Sequence, residues 1–277
     1  QAGITRVHLE EDVAKLMHRI GFDGVAYSLM DVNRSGVPLM EIVGEPDLRS
    51  PEEARQYLMK LHSILQYICV STANMEEGSF RCDANISIRP AGTTQLLAKV
   101  EVKNMNSFRA VFRALEYEAS RQRAALENGE RLVQETRGWV EEEGKTVSQR
   151  SKEFAHDYRY FPEPDLPPLI INRQWVEKVL GELAELPEAR RDRFMAEYGL
   201  PLYDANLLTA AKNMAEYFEA CVKTGKPANL SLTVRAKQIS NWLLGEFSRL
   251  LNATATEANQ TRITPERLCE LIELTQK

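Results

Sequence analysis

Residues 161–169 read Phe-Pro-Glu-Pro-Asp-Leu-Pro-Pro-Leu, and this run constrains the chain more than any other. Proline lacks the amide hydrogen and locks φ, so neither a helix interior nor a central strand can pass through such a stretch. It divides 277 residues into two unlike regions. Before it, strand-like alternation dominates. Beyond about Asn172, apolar residues recur at helical spacing, as in "DANLLTAAKNMAEYFEACVKT" and "TVRAKQISNWLLGEFSRLLN". The expectation is a sheet-containing domain over residues 1–172 and a separate helical domain over 173–277.

Within the first region, "RCDANISIRP" places Cys82, Ala84, Ile86 and Ile88 on one face and Arg81, Asp83, Asn85 and Ser87 on the other. After a Pro90-Ala91-Gly92 turn, "LAKVEVKN" alternates again, which predicts an antiparallel hairpin with one apolar and one polar face. A second hairpin is expected where "EEEGKT" joins "LVQETRGWV" to "TVSQRS". Two helices are legible. "SPEEARQYLMKLHSILQYI" has Ser50 as N-cap, Pro51 at the first helical position and Glu53 closing a capping box. The other runs from about Asn106 to Asn128 and stops at Gly129. The fold class expected is α+β: an antiparallel-sheet region followed by an all-α region.

Charge excludes one class of function. Residues 1–172 hold 21 Lys and Arg against 26 Asp and Glu, and residues 173–277 hold 14 of each, so neither region is a basic nucleic-acid module by composition. Any RNA contact must come from local patches, such as Arg190-Arg191-Arg193 and Arg235-Lys237. Alone these read as solvated helix surface; as RNA contacts they would act through phosphates. Cys69, Cys82, Cys221 and Cys269 form no Cys-x-x-Cys pair, which suits free thiols in a reducing cytosol. No apolar run approaches the roughly 20 residues that span a bilayer.

Three groups of residues could carry chemistry. In "DVNRSGVPLMEIVGEPD" (31–47), Glu41 interrupts a strand-like apolar run. Either it meets solvent or it faces a cation. "HLEED" (8–12) clusters three carboxylates; it reads as the first turn of a helix or, with Glu41, as a source of hard oxygen ligands for Mg²⁺. "MEEGSFRCDANISI" and "KVEVKNMNSF" gather Glu77, Ser79, Arg81, Asp83, Asn85, Lys103, Asn104 and Asn106 on or beside one hairpin face, as a solvated surface or as contacts to phosphate and ribose. "QETRGW" and "DYRYFPEPD" add Arg137 and Arg159 with aromatic neighbours able to pack or to stack on a base. A Walker-A loop, a kinase signature and a Gly-x-Ser-x-Gly elbow are all missing from the sequence.

Taken in order, "HLEED", "DVNRSGVPLMEIVGEPD", "MEEGSFRCDANIS", "EVKNMNS", "QETR" and "DYRYFPEPDLPPL" resemble the B-subunit family of the aspartyl/glutamyl-tRNA amidotransferases. The resemblance runs through residues 3 to about 172 and more loosely beyond. It implies a cradle similar to glutamine synthetase. It also implies an ATP- and Mg²⁺-dependent ligase that phosphorylates the side-chain carboxylate of Glu or Asp on mischarged tRNA. Ammonia from a partner amidase, the A chain of the complex, then displaces the phosphate, and a small C chain clamps the other two together. By resemblance, Glu11 and Glu41 are catalytic residues that hold the metal, and Arg137 and Arg159 are catalytic residues near the transferred group. Glu77, Ser79, Arg81, Asp83, Asn85, Lys103 and Asn104 belong to the nucleotide side. The chain departs from the family pattern at Val13-Ala14, Val32 and Gly44, which touch loops and packing. It reads as the later cradle and the first part of the helical domain of a cytoplasmic protein, and is expected to be inactive alone. The competing reading is a non-catalytic tRNA-docking or assembly module with the same fold.

Overall fold

The computed structural model describes residues 2–151, 167–224 and 230–275. They fall into two compact units, 1–57 and 58–277. In the first, β1 (Ile4–Glu11) pairs antiparallel with β4 (Pro38–Gly44), and β2 (Lys15–Ile20) with β3 (Ala26–Asp31). "HLEED" therefore lies on a strand and its end, not in the first turn of a helix. Val7 and Leu9 alternate with His8 and Glu10, and this period of two fits a strand where a helix would need three or four. The loop before β4 is fastened to Asp12, whose backbone amide donates to the Val37 carbonyl (2.8 Å) and whose carbonyl accepts from Gly36 (2.9 Å). Its carboxylate pairs with Arg34 at 3.0 Å.

Helix α1 (Pro51–Tyr67) starts as the sequence predicts. The Ser50 hydroxyl accepts from the Glu53 amide (3.1 Å), but the Glu53 carboxylate accepts from the amide of Arg49 (2.6 Å), one residue before the Ser50 amide that the expected capping box uses.

The second unit holds a four-stranded sheet in the order β5 (Ala84–Ile86), β6 (Val100–Lys103), β7 (Glu135–Val140), β8 (Lys145–Ser151). Both expected hairpins are antiparallel, but β6 and β7 run parallel, so the sheet is mixed. Helix α2 (Phe108–Glu127) lies between them in the chain and supplies the crossover that a parallel pair needs. Ser107 caps α2 by accepting from the Ala110 amide, and Gly129, at φ +76°, ends it. The helix buries Ala110, Val111, Ala114 and Leu115 beside the apolar sheet residues Val100 and Val102.

Beyond Asn172 the described residues form α3 (Arg173–Glu182), α4 (Pro187–Tyr198), α5 (Leu202–Thr209), α6 (Lys212–Thr224) and α7 (Leu232–Trp242). A π-helical turn (Leu243–Phe247), α8 (Ser248–Thr254) and α9 (Pro265–Leu274) follow. Phe194, Leu208, Phe218, Ile239, Leu243, Phe247 and Ile272 belong to one core, whereas α3 buries none of its residues. The end of α1 docks here: Tyr67, 1% exposed, donates its hydroxyl to the Thr209 carbonyl at 2.8 Å. Among the described residues no helix is long and apolar enough to cross a membrane.

Candidate functional site

The β1–β4 ribbon shows how a carboxylate fits into an apolar run. Its register pairs His8 with Glu41, Glu10 with Leu39 and Leu9 with Met40. Opposed residues in an antiparallel pair share a face. One face therefore carries Arg6, His8, Glu10 and Glu41, and the other carries Val7, Leu9, Met40, Ile42 and, at its end, Glu11. Glu41 stands mid-strand with its side chain 45% exposed, 3.5 Å from Arg6. The same register puts Glu11 and Glu41 on opposite faces, so this ribbon does not bring both carboxylates to one ion. Glu10, next to Glu11 in the sequence, is the acid that shares the face of Glu41. Parity within each strand could not have shown this without the register that joins them.

In the second unit the predicted polar face exists. Ala84 pairs with Val102 and Val102 with Arg137, while Asn85 pairs with Glu101 and Glu101 with Thr136. Asn85, Glu101, Lys103 and Thr136 thus share the face turned away from the apolar pair Val100 and Val102. Lys103 donates to Asp83 (2.5 Å) and lies 3.2 Å from Glu101, and Thr136 donates to Glu101 (2.9 Å). Partial burial opposes the charge of Lys103, but Asp83 and Glu101 outweigh it and raise its pKa above the ordinary value. Asn104 leaves β6 at φ +65°, a left-handed conformation that asparagine tolerates better than most residues. Gly138 keeps the face open beside it: a Cβ there would stand 3.0 Å from the Asn104 side-chain nitrogen and would also meet Gln149. Glu101 lies on this face as the alternation of "LAKVEVKN" predicts. Thr136, Gly138 and Gln149 are not singled out by the sequence, and their place beside β6 follows from the parallel β6–β7 register.

The remaining predicted residues are distributed as follows. Arg81 is exposed just before β5. Ser79 fastens its own loop, exchanging hydrogen bonds with Thr72 (2.8 Å) and accepting from the Asn74 amide (2.8 Å). Glu77 is exposed in the same loop, its amide 3.4 Å from the Asn74 side-chain oxygen. Arg159 lies outside the described residues.

Arg137 sits on the opposite face of the sheet, under α2. Its side chain is 13% exposed, 2.9 Å from Glu135 and 3.5 Å from the fully buried Glu118. It also donates to the hydroxyl and carbonyl of Thr146, both at 2.9 Å. Glu118 further accepts from Arg121 (2.6 Å), Gln122 (3.0 Å) and Thr146 (2.8 Å). Burial disfavours the Glu135 carboxylate, yet hydrogen bonds from Ser148 and Arg137 hold its pKa below the ordinary range. This is a satisfied internal ion cluster that ties helix to sheet.

The helical cations are likewise engaged internally. Arg190 pairs with Glu219. Arg193 bridges Glu185 (2.6 Å) and Glu219 (2.8 Å), and Arg191 pairs with Asp192 (2.6 Å). Lys237 pairs with Asp204, and Arg235 donates to the Cys221 carbonyl (2.7 Å).

A model of the GatB/GatE catalytic domain matches residues 1–177, and a model of the GatB domain matches residues 216–277. The B chain of the aspartyl/glutamyl-tRNA(Asn/Gln) amidotransferase of Dehalococcoides mccartyi is 58% identical over 274 residues, which is 98% of this chain and 56% of that protein. Proteins of the same name from Moorella thermoacetica and Caldanaerobacter subterraneus are 56% and 53% identical over 272 residues, each match covering 98% of this chain and 55% of the relative. The chain thus spans about half the length of these relatives. A mixed α/β chain with this polar sheet face and this extent of matching sequence belongs to the GatB/GatE family.

Proposed function

We propose that the chain is part of the B chain of a tRNA-dependent amidotransferase that converts Glu or Asp attached to mischarged tRNA into Gln or Asn. The observation that carries this reading is the polar face of the β5–β8 sheet, where Asp83, Asn85, Glu101, Lys103 and Thr136 gather beside Asn104. Arg81, just before β5, and Lys103 offer cations to a polyphosphate, and the amides of Asn85 and Asn104 suit ribose and phosphate oxygens. Their donor chemistry fits ATP.

For Mg²⁺, Glu41 supplies a hard oxygen ligand on an exposed strand face, and this ion needs only one or two carboxylates besides water and phosphate. Glu11 does not fit the same ion, because it lies on the other face of the ribbon. Bound Mg²⁺ and ATP would supply the phosphoryl group and neutralise its charge. The chain's own contribution is alignment. Lys103, held by Asp83 and Glu101, presents its charge from a strand and not from a loop. Asn104 and Gly138 shape the surface beside it. Ammonia would come from a partner amidase chain, with a small third chain joining the two, in a cytoplasmic complex whose cradle resembles glutamine synthetase. Arg137 lies behind this face and ties the sheet to α2.

The test uses the full-length protein assembled with its partner chains, ATP and mischarged tRNA. The proposal expects amidated aminoacyl-tRNA to form with ADP release, and Glu41→Gln to suppress both at limiting Mg²⁺ while glutamine hydrolysis survives. Near-normal amidation by Glu41→Gln under those conditions would show Glu41 to be structural, and amidation without ATP would sink the reading.

A further inference from the structure

Cys221 and Cys269 lie far apart in the sequence, yet α6 and α9 bring them together in the helical core. Each thiol shifts the ionisation of the other. Cys269 Sγ stands 3.3 Å from the Cys221 carbonyl, and Cys221 Sγ stands 3.9 Å from that of Pro265. Both residues are free thiols, Cys221 with no exposed surface and Cys269 with 7%. They differ in one respect. Cys269 lines a cleft of about 20 Å³, with Leu230, Arg235, Gln238, Ile272 and Glu273 around it. Such a space admits a water-sized molecule.

The surroundings divide the roles of the two sulfurs. The neighbouring Cys221 favours a thiolate at Cys269, burial opposes it, and Arg235 on α7 favours it again, so its pKa is lowered below the ordinary thiol value. Glu273, on the same helix, acts against the thiolate. The neighbouring Cys269 and burial both push the Cys221 pKa upward, with Glu266 adding to this and Arg235 opposing it. A cysteine that lines a small cleft with a cation, next to a second, enclosed thiol, has the arrangement of a redox-sensing pair.

We propose that Cys269 and Cys221 form a peroxide-responsive dithiol, in which Cys269 is oxidised first and Cys221 resolves it to a disulfide joining α6 to α9. The Cys269 thiolate attacks one oxygen of hydrogen peroxide. The O–O bond breaks, and the departing hydroxide takes up a proton to leave as water, giving a sulfenic acid. The Cys221 sulfur then attacks the Cys269 sulfur, the S–O bond breaks, and the thiol proton leaves with the oxygen as a second water. Two electrons pass from the sulfurs to the peroxide, and the balance is two thiols plus one hydrogen peroxide giving one disulfide and two waters. Arg235 stabilises the attacking thiolate, and the cleft admits the oxidant. The product is a covalent link across the region matched by the second family model.

The test treats the folded full-length protein with hydrogen peroxide, then denatures it, alkylates the remaining thiols and maps the peptides. The expected result is a cross-linked peptide pair containing Cys221 and Cys269, with Cys69 and Cys82 recovered alkylated and the link reversed by dithiothreitol. In Cys221→Ser the same treatment should leave a sulfenic acid at Cys269 that a dimedone probe traps, and in Cys269→Ser Cys221 should stay reduced. The wild-type map is decisive even if a variant folds poorly. Full alkylation of Cys221 and Cys269 after peroxide, or equal oxidation of Cys221 in Cys269→Ser, would overturn the proposal.

Discussion

The two faces of the β5–β8 sheet carry similar residues and treat them oppositely. On one face Lys103, Asp83 and Glu101 form ion pairs that remain open to solvent. On the other, Arg137 and Glu135 are enclosed against Glu118 and Arg121 of α2, with nearly every polar atom satisfied. Arg137 and Lys103 sit one register step apart, since Val102 opposes Arg137 and Lys103 opposes Gly138. That single step decides whether a cation belongs to the interior or to the open face. Charge in a sequence motif marks neither outcome; strand parity does.

The largest expected effect breaks the enclosed face. Glu118→Ala leaves Arg137 and Arg121 without their shared carboxylate and should cost about 3–5 kcal/mol, the usual consequence of stranding a buried charge. Urea denaturation monitored by circular dichroism would measure it. The double change Glu118→Leu with Arg137→Met should recover part of the loss, because both charges are then removed.

Glu219→Gln asks whether the helical arginines follow the same rule. It weakens the contacts to Arg190 and Arg193 and should cost about 2 kcal/mol, the range of a hydrogen bond to a charged group. The pH dependence has a fixed sign. Burial disfavours ionised Glu219, but hydrogen bonds from Arg193 and Arg190 hold its pKa below the ordinary 4.5. Its contribution is therefore complete above pH 4.5 and is lost as pH falls through the depressed folded value. Acid titration of the wild type should show this loss, and Glu219→Gln should flatten it.

A smaller effect probes the open face. Gly138→Ala should cost about 1 kcal/mol, because the new methyl displaces the side chains of Gln149 and Asn104. It should weaken nucleotide binding more than it lowers the melting temperature, which calorimetry on the assembled full-length protein would separate.

Much of this was legible in the sequence. The cap of α1 at Ser50, the Gly129 stop of α2, both hairpins and the outward placement of Asp83 and Asn85 followed from local patterns, and local patterns survive folding. What was missed is non-local. The parallel β6–β7 pairing depends on how α2 returns the chain, and it alone places Arg137 inward and Gly138 beside Asn104. The β1–β4 register, which separates Glu11 from Glu41, joins residues about thirty positions apart and leaves no trace in either segment. The arginines of α4 looked like surface charge because their partners Glu185 and Glu219 belong to other parts of the chain. Arg159 falls outside the described residues, so its assignment rests on the motif alone.

The contrast between the two faces is tested most directly by matched substitutions, Lys103→Met and Arg137→Met, each in the assembled full-length protein with ATP affinity and melting temperature measured together. Lys103→Met removes a half-exposed pair worth about 0–1 kcal/mol, so it should leave the melting temperature nearly unchanged while weakening ATP binding tenfold or more. Arg137→Met should do the reverse, lowering the melting temperature markedly while the folded protein binds ATP as before. If Arg137→Met abolishes ATP binding at unchanged stability, or Lys103→Met leaves ATP affinity intact, the assignment of the two faces is wrong.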